Sequence, residues 1–191
     1  MKMLKKLLAI VLTGAMALTL LTACGGNAVT EKDIADALTD MAKAQGMKAT
    51  FTPRAKEREL ARKIAELIKK ESETATTADG KDSSNNAAEE ELDRILGINE
   101  GGPNEKNFVW TGTVAIDELG VSGQAFDLQN QVLEANDARN GASLGNQKPA
   151  DARFMGSALC KVVDKGKPVT VRVIVVTAEV KGQEPQHPGK A

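Results

Sequence analysis

The chain has 191 residues, with 25 basic and 26 acidic side chains, two cysteines and one histidine. A balanced charge without a basic cluster does not fit nucleic acid as a partner. With His187 as the only histidine, neither a zinc enzyme nor a histidine-based catalytic triad is expected.

The N-terminus has the pattern of a signal peptide. Residues 1–6 contain three lysines and no acid, and residues 7–21 form an apolar run interrupted only by Thr13, Gly14 and Thr19. This run is shorter than the roughly 20 residues of a membrane-spanning helix, and small residues follow it. We therefore expect residues 1–23 to be a signal peptide.

Residues 21–24 read Leu-Thr-Ala-Cys, which resembles the lipobox of bacterial lipoproteins. The resemblance implies lipidation of the Cys24 thiol by diacylglycerol, cleavage after Ala23 and acylation, for example by palmitate, of the new amino terminus. Two or three acyl chains anchor a protein where one is marginal. The expected location is the extracytoplasmic face of the cell membrane, with residues 24–29 as tether. An ordinary secretory signal with a cysteine placed by chance is the alternative.

Without residues 1–23, 168 residues remain, with 22 basic and 26 acidic side chains. This length predicts one domain, which we place at residues 30–181. No basic block adjoins the anchor, so electrostatic attachment to anionic lipid is not expected. With Cys24 lipidated no internal disulfide can form, and Cys160, in an apolar stretch, is interpreted as a small buried side chain. Residues 182–191 are predicted to be disordered.

Two amphipathic helices are predicted first. Thr30, followed by acids, is typical of a helix start, and Gly46 of a helix end. Thr52-Pro53 predicts a second start, because proline fits the first helical position. The apolar side of this second helix is formed by Leu60, Ile64, Leu67 and Ile68. The charges of residues 54–70 are interpreted as its solvated face.

A mobile loop is predicted for residues 72–88, which contain no large apolar residue. A short helix follows, with acids at its start and Leu92, Ile95 and Leu96 on its apolar side. These acids lack the ligand spacing of an EF-hand calcium loop, so no metal site is predicted.

The middle of the chain alternates between one strand and one helix. Residues 108–116 are rich in aromatic and β-branched side chains and predict a strand, with Trp110 as a core anchor. Ser122 is predicted to cap a helix that runs through Leu133. Residues 136–149 are polar and glycine-rich, which is typical of a loop.

The domain closes with a predicted hairpin: residues 154–163, a turn at 164–167 and residues 168–180. The later half of its second strand is apolar on both faces, so it needs cover on both sides, and the helices are the available cover. The predicted fold class is therefore α+β, with helices packed on a mostly antiparallel sheet in an α-β-α sandwich.

The order of helices, a glycine-rich break, a middle helix and a closing hairpin resembles the CAP superfamily of cysteine-rich secretory, antigen-five and pathogenesis-related proteins. The hairpin segments that carry this resemblance are MGSAL (155–159), DKGK (164–167) and VRV (171–173). The resemblance implies an α-β-α sandwich exported from the cell. The family's cavity uses two histidines and two acids, whereas no histidine precedes His187, so no site residue transfers. This member would keep the scaffold without the metal-dependent centre.

The function predicted from these features is a non-enzymatic binding module at the cell surface, with no cofactor, and with an envelope protein or glycan as partner. Its expected contact surfaces are the loops 72–88 and 136–149. One alternative is an envelope-polymer hydrolase that uses paired carboxylates, for which Glu105, Asp117 and Glu118 are candidates. Another is a small solute-binding subunit of a transporter.

Overall fold

The computed structural model describes residues 29–75, 84–116, 119–134, 144–164 and 167–182. The predicted signal peptide, Cys24 and nearly all of the predicted tail lie outside these ranges. The described elements, in chain order, are α1 Glu31–Ala44, β1 Thr50–Pro53, α2 Ala55–Ala75, α3 Ser84–Leu96, β2 Phe108–Ala115, α4 Val121–Leu128, a π-helix Gln129–Glu134, β3 Pro149–Asp164 and β4 Lys167–Val180.

The four strands form one sheet in the order β1-β3-β4-β2. The β3–β4 and β4–β2 pairs are antiparallel, and β1 runs parallel to β3. Helices pack on both faces of this sheet, which confirms the predicted α+β class. The hairpin is also confirmed, although β3 begins earlier than predicted, at Pro149.

The two faces of the sheet hold separate apolar cores. On the first face, α1 and α4 cover a core that contains Leu38, Met155 and Ile174. On the second face, α2 and α3 cover a core that contains Ile64 and Val175. The side chains of β4 alternate between the two cores, so the strand predicted to be apolar on both faces is covered on both.

Helix α1 starts and ends as predicted. The Thr30 side chain accepts from the Asp33 backbone N–H, and the Asp33 carboxylate accepts from the Thr30 N–H, a capping box. At the other end, Gly46 has a φ of 74°, and the Met47 N–H donates to the Ala42 carbonyl. These are the bonds of a Schellman motif, which needs a left-handed residue at the glycine position.

The predicted helix start at Thr52-Pro53 is wrong, because these residues belong to β1. The strand pairs Thr50 with Ala152 and Pro53 with Met155 of β3, and α2 begins two residues later, at Ala55. Proline disfavours helical backbone in the residue before it, so Thr52 is suited to an extended segment. Pairing with β3 decides between the two structures that the dipeptide allows.

The predicted loop over residues 72–88 is wrong at both of its ends. Helix α2 continues to Ala75 and α3 begins at Ser84, while residues 76–83 lie outside the described residues. The loop was predicted because residues 72–88 contain no large apolar side chain. Ala88 is nevertheless buried in the second core, so a small residue makes the packing contact there. Tertiary packing of adjacent turns extends helices beyond their apolar residues.

The predicted cap at Ser122 is also wrong. Helix α4 begins at Val121, its N-cap is Gly120, and no side chain caps it. Val121 packs against the first core, and the helix begins two residues earlier than it would with Ser122 as its cap. The chain then widens into the π-helix, so the single helix predicted through Leu133 has two parts.

Candidate functional site

The carboxylates proposed for an enzyme do not form a pair among the described residues. Glu105 accepts from the Gly101 N–H at 2.9 Å and so closes a turn within its own loop. Asp117 and Glu118 lie outside the described residues. Where the structure describes the chain, no group of three histidine, cysteine or acidic side chains is arranged to hold a metal ion.

Trp110 is a core residue, as predicted. The residue is 6% exposed, and its ring stacks on Phe108 with 5.9 Å between the ring centroids. The Arg153 guanidinium lies 5.2 Å from the Trp110 centroid and 5.5 Å from that of Phe51. Trp110 therefore contributes a β2 side chain to the first core.

Cys160 is half-buried and packs against the second core, which agrees with its interpretation as a small apolar side chain. Burial raises the pKa of its thiol to about 11. Because the thiolate is the reactive form, this cysteine is a poor nucleophile at neutral pH.

A buried ion pair on the second face was not predicted from the sequence. Glu57, which we expected on a solvated helix face, is fully buried, and its carboxylate accepts from the Arg54 guanidinium and, at 2.7 Å, from the Thr177 hydroxyl. Burial raises the pKa of Glu57, but the Arg54 and Thr177 hydrogen bonds and the Arg54 charge outweigh it, so the pKa lies below its ordinary value. Arg54 also lies 3.8 Å from the centroid of the Phe154 ring.

A second buried charge, Arg172, joins three segments on the first face. Its guanidinium donates to the Gln124 side chain at 2.8 Å, the Ser157 hydroxyl at 3.0 Å and the Val29 carbonyl at 2.9 Å. Burial lowers the pKa of Arg172, and the charge of Glu31 opposes this shift. Arg172, on β4, therefore connects α4, β3 and the segment that precedes α1.

Glu31 marks the place where β1 stops covering β3. Its carboxylate accepts from the Ser157 backbone N–H at 2.7 Å and from the Arg58 guanidinium, also at 2.7 Å. Ser157 lies two residues beyond Met155, the last residue of β3 that pairs with β1. The carboxylate thus takes the first backbone donor that β1 leaves unpaired.

Beyond Ser157 the outer edge of β3 has no pairing strand among the described residues. The Met155 carbonyl accepts from the Arg54 N–H and the Ser157 N–H donates to Glu31, so odd-numbered residues direct their backbone groups to this edge. Backbone groups alternate between the two sides of a strand. Those of Leu159, Lys161 and Val163 therefore face outward, and no strand of the described residues pairs with them.

The side chains of these three residues share one uncovered face. Leu159 is 53% exposed, Val163 is 51% exposed and Lys161 is exposed between them. On the opposite face of the same segment, Cys160 packs against the second core and Val162 is buried. We call the outward backbone groups and side chains of Leu159, Lys161 and Val163 the open edge.

Two other edges, those of β2 and of the hairpin end of β4, are less accessible than this one. Strand β2 is buried from Phe108 to Val114 and contacts α4 and the π-helix. At the hairpin end of β4, the Thr170 carbonyl accepts from the Ile116 N–H, so Pro168, two residues earlier, faces the same side. Proline has no N–H to offer, which blunts that edge.

A groove of about 720 Å³ between α2 and α3 is less suited to a ligand. Leu67, Ala88 and Ile95 lie in it, and its rim carries lysine, arginine and glutamate side chains. Glu91 and Arg94 of this rim bond to each other at 2.7 Å. Small-molecule sites place a few polar groups around an apolar pocket, whereas this groove is lined by charges of both signs.

The sequence pointed to loops as the contact surface and missed the open edge. Its signal was the apolar Leu159 and Val163 around Lys161, which the alternation of the strand places on one face. The length of β1 decides which part of β3 stays open, and no sequence pattern predicted β1.

No family model, curated protein or solved structure matches this chain. No helix of the described residues is long and apolar enough to cross a bilayer.

Proposed function

We propose that this protein is a lipid-anchored binding module on the extracytoplasmic face of the membrane, which holds an extended segment of a partner protein on the open edge of β3. The observation that carries this proposal is a strand edge at Leu159, Lys161 and Val163 that no described strand pairs with, together with exposed side chains at the same residues. The lipobox-like residues around Cys24 supply the anchor in this proposal.

Strand addition fits this geometry because each outward residue offers one donor and one acceptor at the edge. A partner strand gains affinity from these main-chain bonds and selectivity from its alternate side chains. The opposite face of the segment is supported by the second core, so β3 is already held in the extended form that a partner needs. Little ordering of the site is then required on binding.

Lys161 selects the partner's chemistry. Opposite charges across a strand pair contribute roughly 0.2–1 kcal/mol, and like charges oppose pairing. A second copy of this chain, paired about Lys161, would place two lysines opposite each other. The favoured partner is therefore a segment with apolar residues next to Leu159 and Val163 and an acid next to Lys161.

Amide hydrogen exchange on the full chain in mild detergent tests this function. The probe is a short peptide of alternating valine and glutamate, and the control peptide has lysine in place of glutamate. We expect the Leu159, Lys161 and Val163 amides to exchange rapidly alone and at least about tenfold more slowly with the valine–glutamate peptide. The Cys160 and Val162 amides, which face β4, should stay protected throughout.

A charge reversal provides the matched test of selectivity. Lys161→Glu should transfer the preference to the valine–lysine peptide, while Lys106→Glu, at an exposed lysine outside β3, should leave it unchanged. Unchanged exchange at the three amides with both peptides would reject the proposal. Protection that grows with protein concentration alone would replace it with self-association.

A further inference from the structure

The start of the described chain is fastened to the sheet. The Val29 carbonyl accepts from the Arg172 guanidinium at 2.9 Å, and Arg172 is only 4% exposed. Two residues later, Glu31 binds the Ser157 backbone N–H. The chain therefore enters the domain at a fixed place.

This place adjoins the open edge. Arg172 lies directly opposite Leu159 in the β3–β4 pair, and Ser157 is two residues before Leu159 on β3. The entry of the chain and the open edge thus share the hairpin half of the sheet. Asp151 and Lys181, which form a 3.4 Å ion pair, mark the other end.

Cys24 precedes Val29 by only five residues, a span of at most about 18 Å when fully extended. We infer, on the basis of the proposed lipid anchor and edge, that the hairpin half of the domain faces the bilayer. The open edge then takes an extended juxtamembrane segment of a membrane-embedded protein. The short reach keeps the domain from turning this edge away from the membrane.

Two physical arguments favour such a segment over the lipid itself. Acyl chains cannot satisfy the outward N–H and C=O groups of Leu159, Lys161 and Val163, and unpaired backbone groups are costly in an apolar environment. In addition, two chains confined to one bilayer meet at high effective concentration, so a modest edge contact is sufficient. An extended segment supplies both the hydrogen bonds and the confinement.

Energy transfer to the bilayer tests the orientation. The lipidated full chain carrying Cys160→Ala is placed in vesicles of phosphatidylethanolamine and phosphatidylglycerol with a headgroup-attached acceptor. A donor dye is attached at Lys167→Cys near the hairpin turn or at Asp151→Cys, roughly 40 Å away along the sheet. We expect clearly higher transfer from position 167. Equal transfer, or higher transfer from position 151, would overturn the orientation.

Two controls belong to this measurement. A flexible glycine–serine insertion of about 20 residues after Gly26 should abolish the difference between the two positions, because it frees the domain to rotate. The chain from residue 24 onward, made without residues 1–23 and carrying Cys24→Ala, should stay in the aqueous phase, because neither the apolar leader nor a lipid then holds it. If that variant still floats with the vesicles, the lipid anchor and the inference that rests on it are both wrong.

The partner is tested by attaching the valine–glutamate peptide to a lipid in the same vesicles. We expect protection of the three open-edge amides at a peptide concentration at least about tenfold lower than for the free peptide. Equal potency would contradict the juxtamembrane partner while leaving the proposed function intact. Protection by vesicles without peptide would assign the surface to lipid. If neither peptide binds in detergent but position 167 is near the bilayer, the proposed function fails and the orientation stands.

Discussion

The two halves of β3 differ in how their edges and faces are covered. In the first half, from Pro149 to Gly156, β1 lies on one edge and β4 on the other, and Met155 is fully buried beneath α1. In the second half, from Ser157 to Asp164, β4 is the only described strand that pairs with β3, and the side chains of Leu159, Lys161 and Val163 on one face are exposed. The comparison teaches that a strand's own residues set its faces, whereas the lengths of its neighbours set its edges.

Gly156 is the boundary between these halves, and α2 crosses the strand there. A Cβ on Gly156 would lie 1.9 Å from the Arg58 backbone nitrogen and 2.1 Å from the Glu57 carbonyl carbon. Such a contact requires backbone to move. The backbone of α2 therefore lies directly against β3 one residue beyond Met155, the last residue that pairs with β1.

The largest expected effect comes from placing a methyl group at this boundary. Gly156→Ala should lower the free energy of unfolding by about 3 kcal/mol or more, because the clash is with backbone and not with a flexible side chain. Urea denaturation measures the change. Gly120→Ala, where a Cβ would meet nothing within 4 Å, should cost less than about 1 kcal/mol. Equal costs would show that α2 does not press on β3.

Removing the buried charge beside the covered half should have the next largest effect. Glu57→Gln should cost about 2–3 kcal/mol at pH 7, less than the roughly 3–5 kcal/mol of fully buried pairs, because Arg54 stays partly in water. Urea midpoints at several pH values would measure it. Arg94→Gln, which breaks an exposed pair with Glu91, is the control and should cost under about 1 kcal/mol.

The pH dependence gives this prediction a sign. The pKa of Glu57 is lowered in the folded protein, so its carboxylate stabilises the fold above the unfolded value near 4.5. This stability is lost as the pH falls through the folded pKa. The difference between the wild type and Glu57→Gln should therefore be largest at neutral pH and shrink below about pH 4.5. A difference that stays constant down to pH 3 would contradict the ion pair.

The smallest effect separates the two faces of the open half. Val162→Thr, on the covered face, should cost about 1–2 kcal/mol because it buries a hydroxyl. Val163→Thr, on the bare face, should change the free energy of unfolding by no more than about 0.5 kcal/mol. Thermal or urea unfolding of the pair is sufficient. A large cost at Val163 would mean that the bare face is covered.

Local structures were predictable from the sequence where all the residues that form them lie within one short segment. The capping box at Thr30 and Asp33, the glycine end of α1 and the β3–β4 hairpin all depend on residues close in sequence. The prediction failed at Thr52-Pro53, where a helix start and a strand end are both locally compatible. It also failed at Glu57, because only contact with Arg54 and Thr177 compensates the burial of a carboxylate.

The sequence by itself determined the fold class, because the periodicities of apolar residues fix which elements form and which of their sides seek cover. It also supplied the residues of the candidate site, as the alternation of Leu159, Lys161 and Val163 with Cys160 and Val162. Tertiary structure alone decided that no described strand pairs with the outer edge of this stretch. Three contacts between residues far apart in the chain determine this: the pairing of β1 with β3, the crossing of α2 at Gly156 and the hydrogen bond from Arg172 to Val29. No local pattern encodes them.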